Sequence, residues 1–119
     1  MQWVKSAGGT GIDQGQSIAV DAIGNVYITG FYRATATFEN TSVTALDRDD
    51  IFVAKYDING NLQWVKSAGS TLEDSGRGIA VDASGNVFVT GFYKLTAAFD
   101  NQSVTSVGGE DIFMAKYDG

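Results

Sequence analysis

The fold of this chain is decided by one stretch, Ser17-Ile18-Ala19-Val20-Asp21-Ala22-Ile23-Gly24-Asn25-Val26-Tyr27-Ile28-Thr29-Gly30-Phe31-Tyr32. Its centre has the form D-x-x-G-N, in which Gly24 can adopt the left-handed conformation of a type I turn with a G1 bulge. The turn predicts a β-hairpin in which Val20 lies opposite Val26. Ala19 and Tyr27 then meet on the other face. Because both faces carry apolar residues, we expect both to be covered.

The same stretch occurs again 61 residues later, from Gly78 to Tyr93, and this offset holds along the whole chain. Residues 2–58 and 63–119 agree at 36 of 57 positions without a gap. The sequence is therefore two copies of one unit, residues 1–61 and 62–119. A recent duplication would preserve this identity without functional pressure, so identity between the copies does not mark a site.

Each unit is predicted to contain four main strands and no helix, because no apolar stripe with a 3.6-residue period lasts three turns. We label them strand A (17–21), strand B (25–32), strand C (51–57) and strand D (62–69), and residues 1–8 read as a first strand D. Residues 9–16 read as an exposed loop, and residues 34–46 as a small extra hairpin that turns near Glu39 and Asn40. Four strands per repeat of this length indicate a β-propeller blade, which packs between two neighbouring blades.

Composition excludes several classes of function. The 119 residues predict one domain. No cysteine or histidine is present, which removes thiolate metal sites, disulfides and the commonest general base. The net charge of −6 argues against nucleic acid as a partner. No apolar run approaches the roughly 20 residues of a membrane span. We predict no catalytic residues and no cofactor.

Three ordered segments in each unit carry a resemblance to a known family. They are Gln2–Gly8, Ile18–Phe31 and Asp50–Asp57, with counterparts Gln63–Gly69, Ile79–Phe92 and Asp111–Asp118. Together they resemble the bacterial seven-bladed β-propeller repeat family. The resemblance implies a propeller fold and an extracellular or cell-surface location in a bacterium. It implies no activity, because no catalytic or binding residues are generally assigned to the repeat.

Two blades cannot close a ring, so the expected architecture is two four-stranded antiparallel blades completed by homo-oligomerisation. The chain begins with a strand D that has no strand C before it, and it ends with a strand C that has no strand D after it. Pairing these between copies gives a head-to-tail contact that must close or run on as a filament. Closed rings then hold an even number of blades, which predicts a trimer or a tetramer, with a slight preference for the tetramer. The regular boundaries favour a deliberately bounded fragment or an engineered chain.

An acidic loop recurs once in each unit and is a candidate cation site. Its residues are Asp47, Asp49 and Asp50 in the first copy and Glu110 and Asp111 in the second. Oxygen-rich loops can hold Ca²⁺, but the spacing lacks an alternating D-x-D-x-D pattern. The favoured interpretation is a solvated loop in which Asp50 and Asp111 cap or orient their strands.

Two further pairs are candidate ligand residues. Asp13 and Asp74 precede glycines in a polar loop, where an Asx turn is the favoured interpretation and a ligand-facing carboxylate the alternative. Tyr32 and Tyr93 could stack on sugar rings, but packing between blades is favoured because the aromatic residues lie within strands.

Three functional hypotheses follow. The first is a non-catalytic structural and interaction module that assembles into a complete propeller. The alternative is a lectin-like propeller with one weak sugar site per blade. An enzyme that uses only carboxylates, such as a glycosidase, ranks last, because no pair of acids is obviously brought together in an apolar pocket.

Overall fold

The protein is described by a computed structural model that covers residues 1–119. It is all-β, as predicted, and it contains no helix that could span a bilayer. The twelve strands are β1 (Ala7–Gly8), β2 (Asp13–Val20), β3 (Val26–Tyr32), β4 (Thr35–Phe38), β5 (Thr41–Thr44), β6 (Asp50–Tyr56), β7 (Leu62–Gly69), β8 (Ser75–Val81), β9 (Val87–Tyr93), β10 (Thr96–Phe99), β11 (Gln102–Thr105) and β12 (Asp111–Tyr117).

Blade 1 is a complete antiparallel sheet in the order β2-β3-β6-β7. The predicted hairpin is confirmed, because Val20 pairs with Val26 and Ala19 with Tyr27. Its turn is held by Asp21, whose carboxylate accepts hydrogen bonds from the backbone amides of Ile23, Gly24 and Asn25. The fourth strand comes from the second sequence unit, so this blade crosses the boundary between the two repeats.

Blade 2 has only three strands, in the order β12-β9-β8. The prediction of two four-stranded blades per chain is therefore corrected to one complete and one incomplete blade, and no sheet closes into a ring. Strand β12 pairs with β9 from Asp111 to Tyr117. Its other edge has no strand partner.

The predicted first strand over residues 1–8 is wrong except at Ala7 and Gly8. These two residues form β1, which pairs with Phe38 and Thr37 of β4. Residues 1–6 form no strand, since no strand C lies beside them. Ala68 and Gly69 pair with β10 in the same way, so β1 keeps the position of its counterpart in β7.

The region interpreted as a loop over residues 9–16 is also corrected. Strand β2 begins at Asp13, four residues before the predicted start of strand A, and pairs with β3 from Asp13 onward. The register shifts between Gly15 and Ser17, and the same shift occurs between Gly76 and Gly78. A bulge at a glycine lets a polar, glycine-rich segment continue the ladder, and alternation alone does not reveal this.

The extra hairpin is confirmed in both units. Strands β4 and β5 pair from Phe38–Thr41 outward to Thr35–Thr44, so the chain turns at Glu39 and Asn40. Strands β10 and β11 repeat this arrangement. Strand β7 also pairs with β10, so the sheet of blade 1 extends through the β10–β11 hairpin to six strands.

Two apolar clusters form the core, one between the blades and one on the outer side of blade 1. The cluster between the blades contains Tyr27, Ile51, Val53 and Ala68 of blade 1, packed against Val87, Val89, Tyr93, Ala97 and Phe113. The outer cluster contains Tyr32, Ala36, Phe38, Phe52, Ala54 and Tyr56. Each face of blade 1 therefore belongs to a different core.

The turn glycines predict a graded loss of stability. Gly60 and Gly85 have φ values of +85° and +88°. A Cβ at Gly60 would stand 2.8 Å from the Trp3 ring, whereas a Cβ at Gly85 would meet nothing within 4 Å. We expect Gly85→Ala to cost about 1 kcal/mol from backbone strain alone, which lowers the melting temperature by about 4 °C. Gly60→Ala adds displacement of Trp3, so thermal melting should show a larger loss. Equal melting temperatures for Gly60→Ala and wild type would contradict the turn assignment.

Candidate functional site

The best-defined polar site lies between the blades and begins with Asp74. This residue is fully buried, and its carboxylate accepts hydrogen bonds from the Ser70 amide at 2.7 Å, the Ser70 hydroxyl at 3.1 Å and the Lys94 amide at 3.1 Å. These bonds fix the loop between β7 and β8. The Asx-type interpretation of Asp74 therefore agrees with the geometry, although burial raises the pKa of its carboxyl above the usual range.

Asp50 brings a second carboxyl to the same place. It lies at the start of β6, is 2% exposed, and accepts a long 3.3 Å bond from the Leu46 amide. A Cβ at Gly69 would stand 2.6 Å from Asp50 Oδ1 and 2.9 Å from Asp74 Oδ2, so the two carboxyls flank this glycine. Asp50 Oδ1 has no hydrogen-bond partner. Burial, with the nearby charges of Asp74 and Asp49, raises the pKa of Asp50 to about 7.

The counterparts of these two carboxyls are separated in the single chain. Asp13 corresponds to Asp74 and lies on the outer side of blade 1, where its Oδ2 accepts a bond from the Gly9 amide at 3.0 Å. Asp13 Oδ1 is buried and has no partner. Asp111 corresponds to Asp50, lies on the free edge of blade 2, and accepts a bond from the Val107 amide at 2.9 Å. The carboxyl pair is therefore complete only between blades 1 and 2.

The acidic loop does not gather around one point. Asp49 forms an ion pair with Arg33, whereas Asp50 turns inward toward Asp74, and Asp47 and Glu110 are exposed. No three acidic side chains form a cluster that could hold a metal ion. The capping interpretation of Asp50 and Asp111 fits their bonds to the preceding loop. A cation site stays the disfavoured alternative for this loop.

The tyrosines proposed as sugar-stacking residues are part of the core, which corrects that alternative for them. Tyr32 is fully buried, and its hydroxyl shares a hydrogen bond with the Ser67 hydroxyl. Tyr93 is 5% exposed and packs in the cluster between the blades. Neither ring presents a free face to a sugar, because aromatic residues within strands are needed to fill the space between sheets.

An apolar groove of about 340 Å³ lies on the outer side of blade 1. One wall is the N-terminal segment, which is anchored where the Trp3 indole donates to the Ile58 carbonyl at 3.0 Å and Lys5 pairs with Glu39. The floor is the outer cluster of blade 1. The apolar side chains that line the groove include Ile18, Val26, Ile28, Ala36, Phe38 and Phe52. The groove is large enough to accept several apolar side chains.

The opposite end of the molecule exposes an apolar sheet face. On β12, Ile112 is 81% exposed and Met114 is 88% exposed, and Phe88 on β9 is 42% exposed. Their counterparts in blade 1, Ile51, Val53 and Tyr27, are all buried. Large exposed apolar patches on soluble domains generally mark interaction sites. Blade 2 therefore exposes the counterpart of the face that blade 1 packs against blade 2.

Sequence reasoning missed both the groove and the carboxyl pair. Asp50 and Asp74 lie 24 positions apart in different repeats, so only the packing of adjacent blades reveals that they meet. The available signal was that each residue recurs once per unit. The groove could not be located, because its depth depends on where the N-terminal segment lies against blade 1.

The buried carboxyl of Asp50 predicts an unusual pH dependence of stability. Its pKa is raised in the folded protein, so its stabilising contribution is present near pH 4 and is lost as the pH rises toward about 7. We expect the melting temperature to fall between pH 5 and pH 7.5, and Asp50→Asn to flatten this slope. Asp47→Asn, an exposed change of equal charge in the same loop, should leave the slope intact. Identical slopes for wild type and Asp50→Asn would contradict the assignment.

At lower pH, a different set of carboxyls dominates. Hydrogen bonds from Asn25 lower the pKa of Asp21 to about 2. Contacts with Asn61 and Asn86 likewise lower the pKa of Asp57 and Asp82. Their contributions are present above pH 4 and are lost as the pH falls further. The melting temperature should therefore reach its maximum between about pH 4 and pH 5.

Comparison with known proteins agrees with this geometry. A family model described as a beta-propeller repeat matches residues 2–30 and 63–91, one match in each unit. A protein of Acanthamoeba polyphaga mimivirus, named as an uncharacterized WD repeat-containing protein, is 32% identical over a region that covers 76% of this chain. The chain spans 8% of the length of that relative. It belongs to the beta-propeller repeat family and carries two copies of the repeat.

Proposed function

We propose that this chain is a non-catalytic structural and interaction module whose copies assemble head to tail into a closed propeller. One observation carries the proposal. The exposed face of blade 2 and the open groove of blade 1 are the counterparts of the two surfaces that already pack together between the blades. In solution, the blade that fills the groove comes from a second copy of the chain.

The contact within the chain provides the template for this assembly. There, Ile51 and Val53 pack against Val87, Val89 and Phe113. If each residue is replaced by its equivalent in the other repeat, Ile112 and Met114 of one copy pack against Val26, Ile28 and Phe52 of the next. These last three residues lie in the groove. Because all the exchanged side chains are apolar, the second contact has the same chemistry as the first.

The energetic argument favours association. Complete burial of a side chain the size of isoleucine or methionine contributes about 1.5–3 kcal/mol. The single chain exposes Ile112, Met114 and Phe88. Association would bury these side chains and further apolar surface of the groove. This gain opposes the loss of translational and rotational freedom, about 4–15 kcal/mol. Backbone pairing along the free edge of β12 adds to the same contact.

Strand addition would supply that pairing. In blade 1, Ala54 lies opposite Val65 and Val53 opposite Lys66. In the proposed assembly, Ala115 of one copy lies opposite Val4 of the next, and Met114 lies opposite Lys5. Residues 1–6 have no strand partner in the single chain but already lie against blade 1. They would therefore complete blade 2 of the neighbouring copy without leaving their place.

The number of copies follows from closure. Two blades per chain allow six blades in a trimer or eight in a tetramer within the usual range for propellers. If the preferred angle between blades is that of a seven-bladed ring, a ring of eight deviates from this angle slightly less than a ring of six does. We therefore favour the tetramer over the trimer by a small margin.

Light scattering after size-exclusion chromatography tests the assembly. Wild type should show three or four times the chain mass of 12.6 kDa. Met114→Lys should shift the protein to the monomer, because a lysine at this site would be buried against apolar groups. It should not unfold the chain, since Met114 is 88% exposed in the single chain.

Ile23→Lys provides a matched control. Ile23 is 73% exposed in a turn of blade 1. Its counterpart in blade 2, Ser84, is exposed even though blade 1 packs against blade 2. Ile23 should therefore stay exposed when a second copy packs against blade 1. The control should therefore keep the wild-type mass. A cooperative wild-type monomer, or a Met114→Lys variant with unchanged mass, would contradict the proposal.

A further inference from the structure

We infer that assembly is coupled to proton uptake, because each contact between copies brings Asp111 of one copy beside Asp13 of the next, where the two carboxyls share a proton. The inference rests on the proposed assembly and goes beyond it by assigning a two-residue site that neither copy contains alone. The template is the pair Asp50 and Asp74. These residues flank Gly69 between the blades of one chain.

Hydrogen bonding in the template pair indicates a shared proton. Asp74 accepts three hydrogen bonds from Ser70 and Lys94, which suit an ionised carboxylate. Asp50 accepts only the long bond from Leu46, and its Oδ1 is buried without a partner. A proton on Oδ1 turns this acceptor into a donor on the side of Gly69 that the ionised Asp74 also flanks. One proton therefore satisfies the group and removes the repulsion between two buried charges.

No free basic side chain neutralises the template pair. The charged groups around the pair are Asp49, Arg33, Glu73, Lys94 and Arg48. Arg33 pairs with Asp49, and the Lys94 ammonium pairs with Glu73 at 3.2 Å. Arg48 is exposed. Tyr32 also faces Asp50, but its hydroxyl bonds to Ser67, and burial raises the pKa of that phenol, so it stays neutral.

Half of the intermolecular site is already formed on blade 1. A Cβ at Gly8 would stand 3.0 Å from Asp13 Oδ2, closely matching the 2.9 Å between the Gly69 position and Asp74 Oδ2. Asp13 accepts one hydrogen bond, from Gly9, because glycine replaces the serine found at position 70. The Arg33 amide, counterpart of the Lys94 amide, donates to the Ile12 carbonyl instead of to Asp13. Its Oδ1 is buried and has no partner. Asp13 therefore has fewer donors than Asp74 to stabilise a negative charge.

The surroundings of the intermolecular pair follow from the repeat. Glu110 takes the place of Asp49, and Lys94 the place of Arg33, while Lys94 already pairs with Glu73. Ile12 replaces Glu73, so one acidic neighbour is lost, and Arg33 takes the place of Lys94 but pairs with Asp49. Tyr93 replaces Tyr32 and is buried. No free cation therefore faces the pair, and a proton remains the simplest neutralising group.

The test measures the dissociation constant between copies, by dilution in analytical ultracentrifugation, from pH 5 to pH 8.5. Uptake of one proton per contact tightens association by up to about tenfold per pH unit as the pH falls through the titration range. Asp111→Asn should lose this dependence and associate at pH 8 more tightly than wild type. Asp47→Asn removes the same charge from an exposed loop and should keep the wild-type slope. Titration calorimetry in buffers of different ionisation enthalpy should count about one proton per contact.

The outcomes separate this inference from the assembly itself. A wild-type oligomer whose affinity does not change with pH, or an Asp111→Asn variant with the wild-type slope, overturns the shared proton and leaves the assembly standing. A monomer at every pH overturns both. If Ca²⁺ at pH 8 tightens wild type but not Asp111→Asn, a bridging cation occupies the site instead, and the proton is excluded.

Discussion

The contact between the two faces of adjacent blades is the interaction on which the structure depends. Ile51 and Val53 are buried only because blade 2 covers them, whereas Ile112 and Met114 occupy the same strand positions and are largely exposed. The sequence of the two strands is almost the same, so the neighbouring blade, and not the strand itself, determines burial. A blade that is apolar on both faces needs a neighbour on each side.

The elements set by local chemistry could be predicted from the sequence. The D-x-x-G-N turns, the register of Val20 opposite Val26 and the side hairpins follow from turn residues and alternation, and all are present. The start of β2 at Asp13 and the loss of strand structure over residues 1–6 were not predicted. The first depends on a bulge beside a glycine, and the second on the lack of any strand beside residues 1–6.

The candidate site was predicted only in part, for a related reason. The sequence singled out Asp50, Asp74, Asp13 and Asp111 as recurrent carboxyls, and each of them caps a loop by accepting backbone bonds. It did not reveal that Asp50 meets Asp74, because the two come together only when blades pack. The aromatic candidates Tyr32 and Tyr93 lie in the core, since large aromatic side chains fill the space between packed sheets.

These features give one account of what the module does. The repeat builds sheets that are apolar on both faces, and Asp50 and Asp74 place a titratable polar group in the otherwise apolar contact between the blades. Buried polar groups of this kind can define the register of an interface at some cost in stability.

The most direct measurement is disulfide trapping between copies, since the chain contains no cysteine. Val4→Cys combined with Ala115→Cys places thiols at the proposed intermolecular pair. Ala54→Cys combined with Val65→Cys places them at the matching pair within blade 1. The account predicts that oxidation of the first variant gives covalent species ending at three or four chains, while the second gives a cross-linked single chain. Cross-linking of the second variant without any intermolecular product from the first would contradict it.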